Sequence, residues 1–238
     1  MAVEETGTGR LAGVRDPSRP RCQTVRFGFF GLDRRPLYRG DRVFIRPACR
    51  RDYQQWAGLR DQSRGFLEPW EPAWSDDSLS EAAFRRRLLR YDRDWREKVG
   101  YSFLIFANQD GFAHQGPAPL LGSLALSNVR RGVADTASLG YWIGEPHAHR
   151  GFMTEAVELV LEFAFSELRL HRVEAACLPH NVPSRGLLRK SGFQEEGYAR
   201  GYLAIAGRWQ DHVLHAILAE DWERRRPGRF ADYLDLKD

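Results

Sequence analysis

Between Gly140 and Phe193 the chain passes from GYWIG through the turn EPHAHRG into a nearly continuous apolar run, FMTEAVELVLEFAFSEL. It then continues as HRVEAACL, PHNVPSRGLLRKS and Gly192-Phe193. The apolar run suits a helix opened by Gly151 and ending near Leu168. Met153, Ala156, Val157, Leu159, Val160, Leu161, Phe163, Ala164 and Phe165 cover most of its circumference, so it must lie against a sheet with little surface left over. Glu155, Glu158 and Glu162 stand three and four residues apart and are expected to form its solvent stripe. A strand feeding a short turn into a helix N-terminus leaves backbone amides pointing one way, a ready site for an anion. Gly151 gives room for close approach, and His149 and Arg150 add basic character. A diphosphate-bearing ligand is therefore the first to consider.

The rest of the chain supplies the sheet. Arg42-Val-Phe-Ile-Arg reads as a strand stopped by Pro47. Residues 50–60 suit a helix with Tyr53, Trp56 and Ala57 on one face. The segment 66–72 is expected to be a loop because of Pro69 and Pro72. Ser78 or Ser80 caps a helix reaching Glu97, with Phe84, Leu88 and Tyr91 or Trp95 at helical spacing. Strands follow at 102–107, 120–126 and 137–143, with a hairpin loop at 109–119 and a turn region at 127–136. Residues 172–178 read as a strand. Pro183 starts a short helix that Gly192 ends. Strands are expected at 193–199, 202–205 and 212–218. The order describes an α/β protein with a mixed, mostly antiparallel sheet and flanking helices. At 238 residues the chain suits one domain, over 23–222, with a tail at 1–22 and a charged tail at 223–238.

Composition narrows the function classes. Cys22, Cys49 and Cys177 show no paired spacing, which argues against a disulfide framework or a zinc site and for a reducing, cytoplasmic setting. His147 and His149 have no third ligand in sequence reach, so no metal is expected. No apolar run approaches the ~20 residues that cross a bilayer, and the N-terminus carries early acids in place of a leader's apolar segment. No Walker A sequence and no nucleophile elbow is present. Arg10, Arg15, Arg19, Arg21, Arg26, Arg34, Arg35 and Arg39 concentrate basic charge before the first strand, a patch suited to ribosome or RNA contact or to plain solvation. Asn181 and Ser184, three apart around Pro183, serve equally as a helix cap or as an amide and a hydroxyl facing a ligand.

These segments resemble the GNAT acyltransferases and, more closely, their RimJ/RimL branch of ribosomal-protein alanine N-acetyltransferases. FLEPWEP (66–72), SNVRRG (127–132), GYWIG (140–144), HRVEA (171–175), PHNVPSRGLL (179–188), FQEEGYARGYL (193–203) and WQDHVL (209–214) carry the likeness, in order, over about three quarters of the chain. The family's cofactor loop, Gln/Arg-x-x-Gly-x-Gly/Ala, corresponds to Pro146–Gly151, with His149 where a glycine is usual. Its second motif corresponds to Asn181, Ser184, Gly192 and Phe193.

The resemblance implies the GNAT fold, acetyl-CoA as acyl donor, and direct transfer to an amine in a ternary complex. It implies a cofactor site of Trp142, Ile143, His149, Arg150, Gly151, Phe152, Met153, Thr154, Asn181, Ser184 and Leu187. The acceptor, an N-terminal peptide of a ribosomal protein or another amine, would meet Phe66, Trp70, Glu71 and Tyr202. A main-chain amide near Trp142 or Ile143 would serve the oxyanion. The tyrosine that often protonates the leaving thiolate is replaced by Leu188, so Ser184 takes the sulfur. Glu71 and Glu174 are the two candidates for a base acting through water. Two alternatives stay open, a small-molecule amine acceptor and a non-catalytic acyl-CoA-binding or ribosome-assembly factor.

Overall fold

The computed structural model describes residues 37–108 and 117–225, and the backbone of 23–24. The expected N-terminal tail, seven of the eight N-terminal arginines and most of the 109–119 loop lie outside the described residues. Nine strands form one sheet: β1 (Gln23–Thr24), β2 (Tyr38–Arg39), β3 (Val43–Arg46), β4 (Tyr101–Ala107), β5 (Leu120–Arg130), β6 (Thr136–Ile143), β7 (Arg172–Cys177), β8 (Gln194–Ile205) and β9 (Arg208–Leu218). Their order is β1-β2-β3-β4-β5-β6-β7-β9-β8, antiparallel except for the β6–β7 pair. The helices are α1 (Tyr53–Gln62), α2 (Arg64–Leu67), α3 (Glu81–Glu97), α4 (Phe152–Glu162), α5 (Val182–Lys190) and α6 (Ala219–Arg225).

Both faces of the sheet are buried, and β4 shows how. Phe103 and Ile105 point into a core with Val157, Val160 and Leu161 of α4, whereas Leu104 and Phe106 point into a second core with Trp56 and Leu59 of α1 and Phe84 of α3. Successive side chains of a strand alternate between faces, so one apolar strand feeds both layers. α4 is apolar nearly all round because it lies over the middle of the sheet, with Ala156, Val157, Val160 and Leu161 fully excluded from solvent. It ends in a π turn, Phe163–Glu167. There the Phe163 ring meets Tyr38, Trp95, Tyr101 and Phe103.

Several expectations are corrected. Segment 66–72 begins as helix: α2 runs through Leu67 and a 3-10 turn covers Glu68–Trp70. Pro69 is tolerated there because a helix's first residues have no intrahelical use for their N–H groups. β5 continues through Arg130 across the expected turn at 127, with a register shift that accommodates Asn128 at a φ of 51°. The expected strands at 193–199 and 202–205 are one bulged strand, β8. The expected charged tail from 223 starts as the end of α6, whose Trp222 is buried against Phe165. Of the two cap candidates for α3, Ser80 is the one used, its Oγ accepting from the Ala83 N–H at 3.1 Å.

Glu155 is not on a solvent stripe. Its side chain is turned inward, where Oε1 accepts the backbone N–H groups of Arg42 (2.8 Å) and Val43 (3.3 Å), and Oε2 takes the Arg42 guanidinium at 3.1 Å. Spacing on a helix does not reveal that a neighbouring strand starts with unpaired amides, and here β3 does.

β5 and β6 approach closely where β6 is about to leave the sheet. A Cβ on Gly122 would stand 2.3 Å from the Trp142 carbonyl oxygen. That oxygen belongs to backbone and cannot swing away. Gly122→Ala is expected to cost about 1–3 kcal/mol, measured by chemical denaturation.

Candidate active site

The site is built where β6 and β7 part. The two strands pair over three rungs only, Thr136–Arg172, Ala137–Val173 and Ser138–Glu174. β6 then runs on to Ile143 beside β5, and β7 runs on to Cys177 beside β9. Beyond Ser138 and Glu174 the facing edges have no ladder between them, so their backbone groups are available to an extended ligand inserted between the strands. Open α/β sheets commonly bind ligands where neighbouring strands send their connections apart.

At the far end of β6 the turn to α4 forms the basic loop. Gly151 is the N-cap of α4 with a φ of 79°, and without a side chain it leaves the helix N-terminus uncapped. His149, standing where the family usually has glycine, has a φ of 58°. The backbone thus keeps the left-handed shape that glycine holds easily, at a cost of about 1–2 kcal/mol for an L side chain. The loop is braced from below. Arg42, held by Glu155, donates from Nη1 to the Arg150 carbonyl at 3.1 Å. The Arg42 and Arg150 guanidinium groups lie 5.2 and 5.1 Å from the Phe152 ring centre. Phe152 and Met153 are buried, so they can offer a ligand main chain but not side chain; Thr154 is half-buried. Burial, with the Arg150 charge adding to it, lowers the His147 pKa from its ordinary value. Between these two side chains, the cationic charge of the loop at neutral pH is therefore that of Arg150.

The other lip of the opening is the start of α5. Asn181 caps it, its Oδ1 accepting from the Ser184 N–H at 3.1 Å, so the cap reading holds for Asn181. The Ser184 Oγ is left for another partner, the Tyr141 hydroxyl on β6, at 2.8 Å. Cys177 also lies beside Ser184; burial raises its pKa, and a hydrogen bond with the serine partly offsets this. Leu188 is buried in the core and Leu187 packs against it. Ile143 packs against the same core, whereas Trp142 faces the opposite layer.

That opposite face carries the wall formed by 60–72. The Arg60 guanidinium, itself buried, stacks 4.9 Å from Trp142 and 4.2 Å from Trp74. It pairs with Glu71 through Nη2–Oε2 at 2.5 Å and Nη1–Oε1 at 3.2 Å, and Trp74 donates to the same carboxylate at 2.9 Å. Trp70 lies against His180, just past β7, with ring centres 5.4 Å apart. The Glu71 carbonyl accepts from the Ala206 N–H in the β8–β9 turn at 2.9 Å. The segment thus touches β6 on one side and the chain after β7 on the other, and spans the opening between them. Phe66 is half-buried within it. Tyr202, on β8, meets the buried His212 edge-on, ring centres 5.7 Å apart.

The predicted residues therefore fall into two groups. His149, Arg150, Gly151 and Thr154 gather at the helix N-terminus, with Asn181 and Ser184 across the opening. Phe66, Trp70 and Glu71 form the wall on the other face, and Tyr202 lies on the hairpin whose turn docks on that wall. Glu174 occupies the last rung of the β6–β7 ladder, where Arg172 at 3.0 Å and Arg130 at 3.6 Å pair with it. Sequence reasoning missed Tyr141, Arg60, Arg42 and the inward turn of Glu155. Tyr141 lay within the quoted GYWIG segment; the others carry no local signal, because each partner is distant in sequence.

A family model described as the acetyltransferase (GNAT) domain matches residues 42–194. The chain belongs to the GNAT acetyltransferases. It is 33% identical over 189 residues to the [ribosomal protein uS5]-alanine N-acetyltransferase of Escherichia coli, covering 79% of this chain and 92% of that one. It is 36% identical over 188 residues to a Bacillus subtilis protein named "Probable N-acetyltransferase YjcK", covering 79% of this chain and 100% of the other. Among solved structures, RimJ of Mycobacterium smegmatis in complex with CoA-disulfide superposes with a TM-score of 0.69 at 32% identity, covering 81% of this chain and 88% of that one. The acetyltransferase is thus an enzyme of the expected class and fold. Among the described residues no group of side chains could hold a metal ion, and no helix is long and apolar enough to cross a membrane.

The left-handed backbone at His149 gives a direct check on the loop. His149→Gly relieves the side-chain strain while adding unfolded-state freedom, so stability should change by less than about 1 kcal/mol. His149→Val, β-branched, should lose about 1–2 kcal/mol or more. Thermal melts of the two variants make the comparison.

Proposed function

We propose that this acetyltransferase moves the acetyl group of acetyl-CoA to the α-amino group of a protein N-terminus, an alanine of a ribosomal protein. The observation that carries the reading is the wall at 60–72, tied across the mouth of the opening to both β6 and the β8–β9 turn. It divides the site between the two faces of the sheet. The basic loop and the α5 start, on the α4 side, suit a CoA diphosphate and pantetheine arm; the aromatic wall suits a peptide end. The 33%-identical relative named for uS5 alanine acetylation supports the choice of acceptor, and RimJ solved with CoA-disulfide supports the donor.

Donor and acceptor then reach the gap from opposite faces and react in one ternary complex. The amine, neutral in part near its pKa of about 7.7–8.0, attacks the thioester carbonyl. A main-chain amide near Trp142 or Ile143 takes the oxyanion. Ser184 takes the sulfur. Of the two carboxylates, Glu71 has both oxygens engaged by Arg60 and Trp74 and orders the wall. Glu174 is also paired, through Oε1 with Arg172 at 3.0 Å, but its Oε2 meets Arg130 only at 3.6 Å and the side chain is 35% exposed where the strands part, so it is the one that accepts the proton through a water.

Purified enzyme with acetyl-CoA should acetylate a peptide beginning with alanine, read by mass spectrometry with matching release of CoA thiol. Efficient turnover of free small amines with none on such peptides would replace this acceptor by a small molecule. Glu174→Gln should lower kcat about 100-fold, whereas Glu71→Gln should act mainly on peptide KM. Arg150→Ala should raise the KM for acetyl-CoA about tenfold, the effect of losing one charge-assisted contact of roughly 1.5 kcal/mol.

A further inference from the structure

We propose that Tyr141 is a positioning residue for the leaving group: its hydroxyl holds that of Ser184 so that the serine's single hydrogen is directed at the acyl-donor sulfur. The inference rests on the acetyl-CoA reading above. Its basis is the 2.8 Å contact between the two hydroxyls, which joins β6 to α5 across the unpaired stretch of the sheet, from residues 43 apart in sequence. Tyr141 is placed well beyond the last ladder rung at Ser138, and Ser184 is in the first turn of α5. Leu188 stands where relatives often carry a phenol, and it is buried in the core. Tyr141 brings a phenol to the same face of α5 from β6, one turn earlier, at Ser184.

The direction of the bond follows from proton counting. A serine hydroxyl has one hydrogen and two lone pairs. Burial raises the Tyr141 pKa well above the ordinary phenol value, and the bond to Ser184 offsets only part of that. The phenol therefore stays protonated; either hydroxyl could donate in the 2.8 Å contact, and the proposal assigns the donor role to the phenol as the more acidic of the two. With the Tyr141 proton on one serine lone pair, the serine's own hydrogen is free for another acceptor. The neighbouring Cys177 is kept as a thiol by burial and is a weak acceptor. The usual outlet for a hydroxyl in a helix, a carbonyl one turn back, is not used; the serine's hydrogen bonds among the described residues are the Asn181 cap at its N–H, the Tyr141 contact and the weak one with the Cys177 thiol, which a thiolate sulfur would displace. Two hydroxyls in series polarise each other, so the second donates more strongly than a serine alone.

In the transfer the new C–N bond forms as the C–S bond breaks with its electron pair on sulfur. The alkylammonium gives up one proton to solvent before attack, and the second nitrogen proton leaves after it, through a water to Glu174. The thiolate accepts a hydrogen bond from Ser184 and takes its proton from solvent as CoA departs. Tyr141 and Ser184 keep their protons throughout. Overall, acetyl-CoA and an alkylammonium give the acetamide, CoA thiol and one proton.

The test compares wild type, Tyr141→Phe, Ser184→Ala and the double variant, all of which keep the aromatic ring. Titration of bound CoA, followed by thiolate ultraviolet absorbance, needs no acceptor. Y141F should weaken the acidity of the bound thiol about tenfold, S184A by at least as much, and the double variant no more than S184A. With acceptor present, Y141F should lower kcat about tenfold while the KM for acetyl-CoA stays within twofold, and should add no loss in the S184A background. Equal losses from Y141F with and without Ser184, or an unchanged thiol in Y141F, would overturn the proposal while leaving the acetyl-CoA reading intact. Failure of wild type to bind CoA would overturn both.

Discussion

The three-rung parallel ladder between β6 and β7 is the constraint on which the rest of the site depends. Every other neighbouring pair in the sheet is antiparallel. At β6–β7 the strands must be joined by a crossover, and α4 provides it. The crossover brings a helix N-terminus to the end of β6 and leaves two strand edges facing each other with no bonds between them. Each edge is secured on its outer side, β6 by β5 and β7 by β9. The opening is thus built into the pairing of the sheet.

Around this opening the chain spends polar groups on geometry. Glu155 is buried so that β3 and Arg42 are satisfied, and Arg42 in turn supports the loop that precedes α4. Asn181 uses its amide oxygen on the helix cap and so sets the position of Ser184. Arg60 is held inside an aromatic wall by Glu71 at one edge and by Trp74 and Trp142 at its faces, an arrangement suited to a planar, weakly hydrated cation.

Local patterns made the elements around the basic loop legible in sequence. The all-round apolar run of α4, the glycine before it, the Asn-Pro-Ser start of α5 and Gly192 each reflect constraints acting within a few residues, and each is placed as expected. What the sequence hid was contact between distant segments. Glu155 read as solvent-facing because helical spacing shows which residues share a face, not what lies opposite. Pro69 and Pro72 argued for a loop at 66–72, yet a proline at the start of a helical turn breaks nothing. β5 was extended past 127 by a bulge at Asn128, which no propensity for a turn distinguishes from a true end. Tyr141 was visible as an aromatic in a strand, but its partner, Ser184, lies across a helix and a strand.

The wall has a different standing from the rest. The basic loop and the start of α5 join the sheet ladder and the central core, so a change there disturbs the whole domain. The wall is attached through the stack of Arg60 on Trp142, the Trp70–His180 contact, the Ser63 hydroxyl accepting from the Glu145 N–H at 3.0 Å and a main-chain bond to the β8–β9 turn. Substitutions at its exposed positions, such as Asp61, Arg64 and Glu68, can therefore accumulate with little penalty to folding, whereas those at buried Arg60, Ser63 and Leu67 cannot. On the proposed reading, the surface that would select one amine over another is the more replaceable part of the site, and the part that would hold the acyl donor is the less replaceable.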